Sequence, residues 1–255
     1  MKAKVNGTEL YYEVSGSEGA PWLILSHSLA CTVRMWDPQV AVLKDRYRIL
    51  NYDLRGHGQS AAPAGPYTLD MLADDVLGLM KELRIERATF MGLSIGGMIG
   101  QTLALRQTKH FDKMVLADTG HAQPPEAIKQ WEERIRIAQT QGMKPLVSST
   151  MERWFTPSFR ESPPAKRIAE LIANTPVAGY VGCGQAIMKL NTTARLKEIK
   201  LPVLAIAGEA DPSAPGTRHI GETVPGAKLV LIPQAAHIAN VEQAATFNQA
   251  LANFL

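Results

Sequence analysis

The stretch Phe90-Met91-Gly92-Leu93-Ser94-Ile95-Gly96-Gly97 decides how the rest of the chain is read. Residues 88–91 are a short, mostly apolar run suited to a buried strand, and residues 99–106 read as a helix. Between them stands a complete G-x-S-x-G pattern in the order strand, sharp turn, helix. At such a junction the Ser94 hydroxyl points out of the turn, above the carboxyl end of a parallel strand. Gly92 and Gly96 let the backbone turn steeply and let helix and strand approach more closely than a Cβ would permit. Ser94 is the first candidate nucleophile.

Working outward, residues 2–5 and 8–14 alternate like strands around Asn6-Gly7, a two-residue hairpin signal. Residues 22–26 read as a buried strand, 32–43 as a helix and 47–53 as the next strand. That strand runs into Leu54-Arg55-Gly56-His57-Gly58-Gln59-Ser60, a glycine-punctuated loop. Residues 70–83 place apolar and acidic side chains at helical spacing, with Thr68 as the N-cap. Beyond Ser94, a strand at 113–117 ends in Asp118-Thr119-Gly120. This alternation describes an α/β fold with a mostly parallel central sheet covered by helices, the opening hairpin lying antiparallel at its edge.

The rhythm changes between 121 and 194. Amphipathic runs at 126–140, 143–154, 165–174 and 177–190 are broken by Pro145, Pro157, Pro163-Pro164 and Pro176. So long an excursion reads as a helical insert, and one leaving the carboxyl edge of a sheet lies over that face as a lid. Alternation resumes with strands at 203–207 and 228–232, helices at 217–223 and 241–254. The expected organisation is a core of 1–120 and 195–255 with a lid of 121–194.

A chain of 255 residues can bury a full core, and 45% hydrophobic with 20% charged residues is the composition of an ordinary globular protein. The formal charge of +3 is spread along the chain without a basic block, which argues against nucleic acid. No apolar stretch approaches a membrane span. Strand pattern begins directly after Met1, so no signal peptide is expected. Cys31 and Cys183 have neither metal nor redox-pair spacing, so free thiols and a cytoplasmic location are expected, although two cysteines can in principle pair.

A serine hydroxyl needs a general base, itself held by an acid. Two loops supply them in the order that follows such a serine. Gly208-Glu209-Ala210-Asp211-Pro212 offers Asp211, and Gln234-Ala235-Ala236-His237-Ile238 offers His237. His237 would take the proton of Ser94 and return it to the leaving oxygen, while Asp211 fixes the imidazole tautomer. Glu209 and Asp118 are rival acids. Developing negative charge on the carbonyl oxygen requires preorganised donors, for which the backbone N–H groups of Leu29 and Ile95 are the candidates. His27 is expected to order the loop carrying Leu29 and to border the substrate pocket, and His57 to stabilise its own loop. The pocket lies between sheet and lid, with Trp36, Trp131, Trp154, Met98 and Met143 as possible lining residues or plain core. Arg34, Arg134 and Arg153 are possible partners for a substrate carboxylate; a surface position serves Arg34 equally well. No cofactor or metal is implied.

Ser26-His27-Ser28-Leu29, Met35-Trp36-Asp37-Pro38-Gln39, Tyr52-Asp53-Leu54-Arg55-Gly56-His57-Gly58-Gln59-Ser60 and Gly92-Leu93-Ser94-Ile95-Gly96-Gly97 resemble the α/β-hydrolase superfamily. More narrowly they resemble its 3-oxoadipate enol-lactonase branch. Gly179-Tyr180-Val181-Gly182-Cys183 and Ala236-His237-Ile238-Ala239-Asn240-Val241-Glu242-Gln243 extend the likeness to nearly the whole chain. The resemblance implies hydrolysis of the enol-lactone ring of a small carboxylated compound in the β-ketoadipate route of aromatic catabolism. It matches Ser94, Asp211 and His237 to the family's nucleophile, acid and base, and the Leu29 and Ile95 N–H groups to its oxyanion hole. His27 departs from the branch's common Asn-Ser, and Ala236 stands where a glycine often precedes the histidine. A carboxylesterase or lactonase of other specificity and a carbon–carbon bond hydrolase are the enzymatic alternatives. A non-catalytic binding protein is opposed by the complete set of catalytic positions.

Overall fold

Asn6 and Gly7 both take the left-handed backbone conformation (φ 47° and 71°), as a two-residue turn between right-twisted strands requires. In the computed structural model, which describes residues 1–255, they join β1 (Lys2–Val5) to β2 (Thr8–Ser15). β3 (Trp22–Ser26) leads to α1 (Asp37–Leu43), and β4 (Arg48–Tyr52) to α2 (Leu69–Glu82). β5 (Ala88–Leu93), α3 (Ile95–Arg106) and β6 (Phe111–Ala117) follow. Four helices come next: α4 (Pro125–Gln141), α5 (Val147–Trp154), α6 (Pro163–Asn174) and α7 (Val177–Met188). The chain ends with β7 (Val203–Gly208), α8 (Ala214–Thr223), β8 (Lys228–Ile232), α9 (Ala239–Glu242) and α10 (Ala244–Ala252).

The strands form one eight-stranded sheet in the order β1-β2-β4-β3-β5-β6-β7-β8. The β1–β2 and β2–β4 pairings are antiparallel and all later ones parallel. Every residue of β5 and β7 is buried, the expected consequence of covering a parallel sheet on both faces. This order brings the carboxyl ends of β3, β5, β6, β7 and β8 to a single edge. The loops after them therefore converge, and α4–α7 form a lid region in the connection between β6 and β7. Within it α4 packs on α7 and α5 on α6. No helix is long and apolar enough to cross a membrane. Cys31 and Cys183 are both free and buried.

The run read at 143–154 is α-helical only from Val147, and the helix read at 217–223 starts at Ala214; two further departures have a clear cause. The helix read at 32–43 begins only at Asp37. A tight turn over Val33–Trp36 precedes it, in which the Thr32 hydroxyl oxygen accepts the Arg34 N–H at 3.3 Å, and Pro38 suits the first turn of α1. The closing helix breaks at Gln243 (φ −124°, ψ 54°). Glu242, at the end of α9, is buried, and its carboxylate accepts the N–H groups of Ala236 at 2.8 Å and Thr156 at 2.9 Å. Helical periodicity reads through such a break because the anchoring contacts are distant in sequence.

Thr68 caps α2, its Oγ1 accepting the Met71 N–H at 3.0 Å. Asp75, inside α2, binds Arg55 through Nε at 2.6 Å and Nη2 at 2.5 Å, and accepts Asn6 Nδ2–H at 2.9 Å. Arg55 also donates to the Asn6 carbonyl at 3.1 Å. One buried ion pair thus ties the first hairpin, the glycine-punctuated loop and α2 together. Removing one partner leaves an uncompensated buried charge. Asp75→Ala is expected to lower unfolding stability by about 3–5 kcal/mol, read from urea denaturation.

Candidate active site

Ser94 stands alone between β5 and α3 with φ 58° and ψ −117°. For a residue with a Cβ this conformation costs on the order of 1–3 kcal/mol and persists only where the surroundings over-determine it. Here the Ser94 N–H donates to the Ala117 carbonyl at 2.9 Å, and its carbonyl accepts Met98 N–H at 3.0 Å and Thr119 Oγ1–H at 2.9 Å. A Cβ on Gly92 would strike the Gly96 carbonyl, and one on Gly96 the Ser26 carbonyl at the end of β3. The two glycines make the junction possible, and the three hydrogen bonds hold it.

The loop after β8 turns at Gln234 (φ 55°) and presents His237. Its Nε2 lies 2.9 Å from Ser94 Oγ and its Nδ1 2.9 Å from Asp211 Oδ1. Asp211 is buried, and accepts the Ser213 N–H at 2.9 Å and the Ser213 hydroxyl. Burial alone would raise the Asp211 carboxyl. The His237 ring beside it, with hydrogen bonds from His237 and Ser213, outweighs burial and holds it below the usual carboxylate range. Of the rival acids, Glu209 is exposed to solvent, and Asp118 bonds the Gly208 N–H rather than His237.

The loop after β3 is fixed by two imidazoles. His27 Nδ1 donates to the Ser28 carbonyl (2.7 Å), and its Nε2 accepts the Leu54 N–H (2.9 Å). His57 Nδ1 donates to the Arg55 carbonyl (3.2 Å), and its Nε2 accepts the Ala30 N–H (3.0 Å). The rings meet edge to face, 5.5 Å between centroids. This pairing holds Ala30 in its left-handed conformation (φ 56°). Leu29 borders the cavity beside Ser94, and neither its N–H nor that of Ile95 donates to a protein acceptor.

A cavity of about 230 Å³ opens from Ser94 and His237 under the lid. Trp131, Arg134, Arg153, Trp154 and Met98 line it, as does Tyr180 of α7. Arg134 lies over the Trp131 ring, 5.0 Å from its centroid, and donates to Gln130 Oε1 at 3.2 Å. Arg153 donates to Thr150 Oγ1 at 3.2 Å. Both are half-buried and neither has a carboxylate partner. Burial, with the neighbouring charge of Arg134, pushes the Arg153 guanidinium down to about 10. The Trp154 ring lies 5.8 Å from that of His237.

Four expected pocket residues lie elsewhere. Arg34 is on the surface, paired with Glu13 and, at 3.3 Å, with Asp37. Trp36 is wholly buried in the core. His27 is fully enclosed behind the loop it orders, and Met143 packs inside the lid. Conversely, Ser213 and Tyr180 border the cavity although the sequence reading assigns neither a place at the site. Asp211-Pro212-Ser213 carries the signal of an Asx turn, in which the aspartate receives the N–H two residues on. Tyr180 has no local signature, because only the α4–α7 packing carries it to the cavity.

A family model for the alpha/beta hydrolase fold matches residues 21–244. The chain is 37% identical over 246 residues to 3-oxoadipate enol-lactonase 2 of Acinetobacter baylyi, covering 95% of this chain and 91% of that protein. Among solved structures, the enol-lactonase from Burkholderia xenovorans superposes with a TM-score of 0.95 at 39% identity, over 100% of this chain and 99% of that one. A malate-bound thermophilic esterase from Thermogutta terrifontis gives 0.92 at 26% identity, over 99% and 97%.

Burial lowers the His27 imidazolium to about 4 and, with His27 nearby, that of His57 to about 3. Protonation would also cost each ring the N–H bond that its Nε2 accepts. Below the free imidazole value of about 6.5, the unfolded chain takes up two protons that the folded chain refuses. These histidines therefore subtract stability as pH falls from about 6.5 towards 4. In an NMR titration both rings are expected to keep neutral-form shifts at about pH 5, well below the midpoint of a free histidine.

Proposed function

The chain belongs to the α/β-hydrolase family, and from that premise we propose that it opens the ring of a small carboxylate-bearing lactone, 3-oxoadipate enol-lactone foremost, through an acyl-enzyme on Ser94. It is an enzyme of the carboxylic-ester hydrolase type. In this reading residues 1–120 and 195–255 are the catalytic core and 121–194 the lid.

His237 Nε2 takes the Ser94 hydroxyl proton as Oγ attacks the lactone carbonyl, and Asp211 stabilises the resulting imidazolium. The Leu29 and Ile95 N–H groups, unpaired within the protein, receive the oxyanion. Collapse of the tetrahedral adduct breaks the ring C–O bond. The ring oxygen departs as an enol, takes the proton from His237, and stays tethered to the acyl group. Ketonisation of that enol removes the nucleophile that would close the ring again. Water, deprotonated by His237, then attacks the acyl-enzyme and releases the open-chain keto acid. That chemistry would place the enzyme in the β-ketoadipate route of aromatic catabolism.

The observation that carries a carboxylated substrate is the pair Arg134 and Arg153, turned into the cavity without a carboxylate partner. Two half-buried cations beside one another repel, and an anion between them relieves the repulsion and makes charge-assisted bonds. The enol-lactonase relatives, together with malate in the Thermogutta terrifontis esterase, support the same class of ligand.

The test is kcat/KM for freshly generated 3-oxoadipate enol-lactone beside p-nitrophenyl acetate and uncharged lactones. A selective value is expected, lowered roughly 10⁴-fold or more by Ser94→Ala. Activity spread evenly over neutral esters would discard the substrate and keep the hydrolase. Arg134→Leu is expected to raise KM for the charged lactone about 10- to 100-fold while leaving p-nitrophenyl acetate nearly unaffected.

A further inference from the structure

Beside Asp211 the structure buries a second carboxyl group. Asp118 follows β6 with φ 45° and is completely enclosed. Its N–H donates to the Ile206 carbonyl at 2.8 Å, and its Oδ1 accepts the Gly208 N–H at 2.8 Å. Both ties go to β7, whose last residue, Gly208, accepts the Asp211 N–H at 3.1 Å. Asp118 is thereby locked against the turn that presents Asp211. Its other oxygen, Oδ2, is buried and receives no donor, and the Asp211 carboxyl lies within hydrogen-bonding reach.

An ionised Asp118 would set an unpaired oxygen against a second carboxylate in a fully buried site, an arrangement that like charges at close range do not sustain. Burial, then the charge of Asp211, push the Asp118 carboxyl well above the ordinary carboxylate range, with a smaller push from Glu242. The Gly208 N–H opposes these only in part. Asp211 is held low by His237 and Ser213, so the surroundings push the two carboxyls in opposite directions.

We propose that Asp118 is a positioning residue of the active site, a neutral carboxylic acid donating its Oδ2–H to the Asp211 carboxylate. The hydrogen-bonded chain then runs Ser94, His237, Asp211, Asp118. Asp211 receives four donors: His237 Nδ1–H, the Ser213 N–H, the Ser213 hydroxyl and Asp118. Four is the number of lone-pair sites on a carboxylate, so its orientation towards His237 is fully determined. The role in catalysis rests on the reading of Ser94, His237 and Asp211 above; the protonation of Asp118 does not.

The experiment pairs infrared spectroscopy with kinetics on p-nitrophenyl acetate. Asp118→Asn keeps both bonds, its carbonyl accepting from Gly208 and its amide donating to Asp211. Asp118→Leu removes both. The wild-type protein at neutral pH is expected to show a carboxylic-acid C=O band that Asp118→Asn lacks. Asp118→Leu is expected to lower kcat about tenfold at nearly constant KM, and Asp118→Asn to recover most of that loss, to within about threefold of wild type. The acid limb of the pH profile of kcat/KM should stay in place in Asp118→Asn. Were Asp118 an anion, removing its charge would destabilise the His237 imidazolium and move that limb to lower pH. That shift, or the absence of the acid band, overturns the proposal. So does a folded Asp118→Leu with wild-type kcat. If Asp118→Leu does not fold, the Asp118→Asn comparison decides alone. A band in a wild-type protein that hydrolyses no ester would sink the catalytic reading while leaving the Asp118–Asp211 bond standing.

Discussion

One strained residue sets the geometry on which the rest depends. Ser94 is held at φ 58° between a strand and a helix, and neither element can retreat. α3 begins at the next residue, and Gly96 lies so close to the Ser26 carbonyl that no side chain fits. That contact joins the end of β3 to the start of α3. Because β3 lies beside β5 in the sheet, the loop carrying Leu29 and Ala30 is placed next to Ser94. Strain at one position, over-determined by the backbone bond to Ala117 of β6, the Met98 N–H and the Thr119 hydroxyl, becomes a rigid platform.

Around that platform, burial assigns protonation states. His27 and His57 are enclosed and neutral, each fixed in one tautomer by the carbonyl that its Nδ1–H meets. They act as rigid connectors between the β3 loop and the 54–60 loop. Asp211 is nearly as enclosed but meets the His237 ring and the Ser213 N–H and hydroxyl, which hold it below the usual carboxylate range. Asp118, one strand away, is offered a single N–H and a neighbouring anion. Two carboxyls at the same sheet edge are driven apart by what surrounds each one.

The lid contributes chemistry of a different kind. α4, α5 and α7 turn Arg134, Trp131, Arg153, Trp154 and Tyr180 towards Ser94. Cations on an outer surface normally find acidic partners, as Arg106 does with Asp70 and Asp74. Under the lid no acid is within reach of the two arginines. Uncompensated positive charge in a small enclosed space costs stability, and an anionic ligand offsets that cost.

The sequence alone determined the features whose physics is local. G-x-S-x-G forces a turn at Ser94 because only glycine tolerates the contacts on either side. Asn6-Gly7 forces a hairpin, Thr68 caps a helix, and strand–helix alternation leaves a parallel sheet as the arrangement that buries both faces. The order Ser94, Asp211, His237 was legible because each follows a strand that must end at the same edge. Only tertiary structure could decide what depends on neighbours far along the chain. His237 meets Ser94 across 143 residues. Arg34 and Arg134 look equally suited to a substrate carboxylate in one dimension, yet Glu13 of β2 captures the first and no carboxylate captures the second. Trp36 disappears into the core, and Asp118, read as a rival acid, lies behind Asp211 instead. Spacing fixes the backbone's local course, whereas burial and charge at a side chain are sums over contacts that sheet order alone brings together.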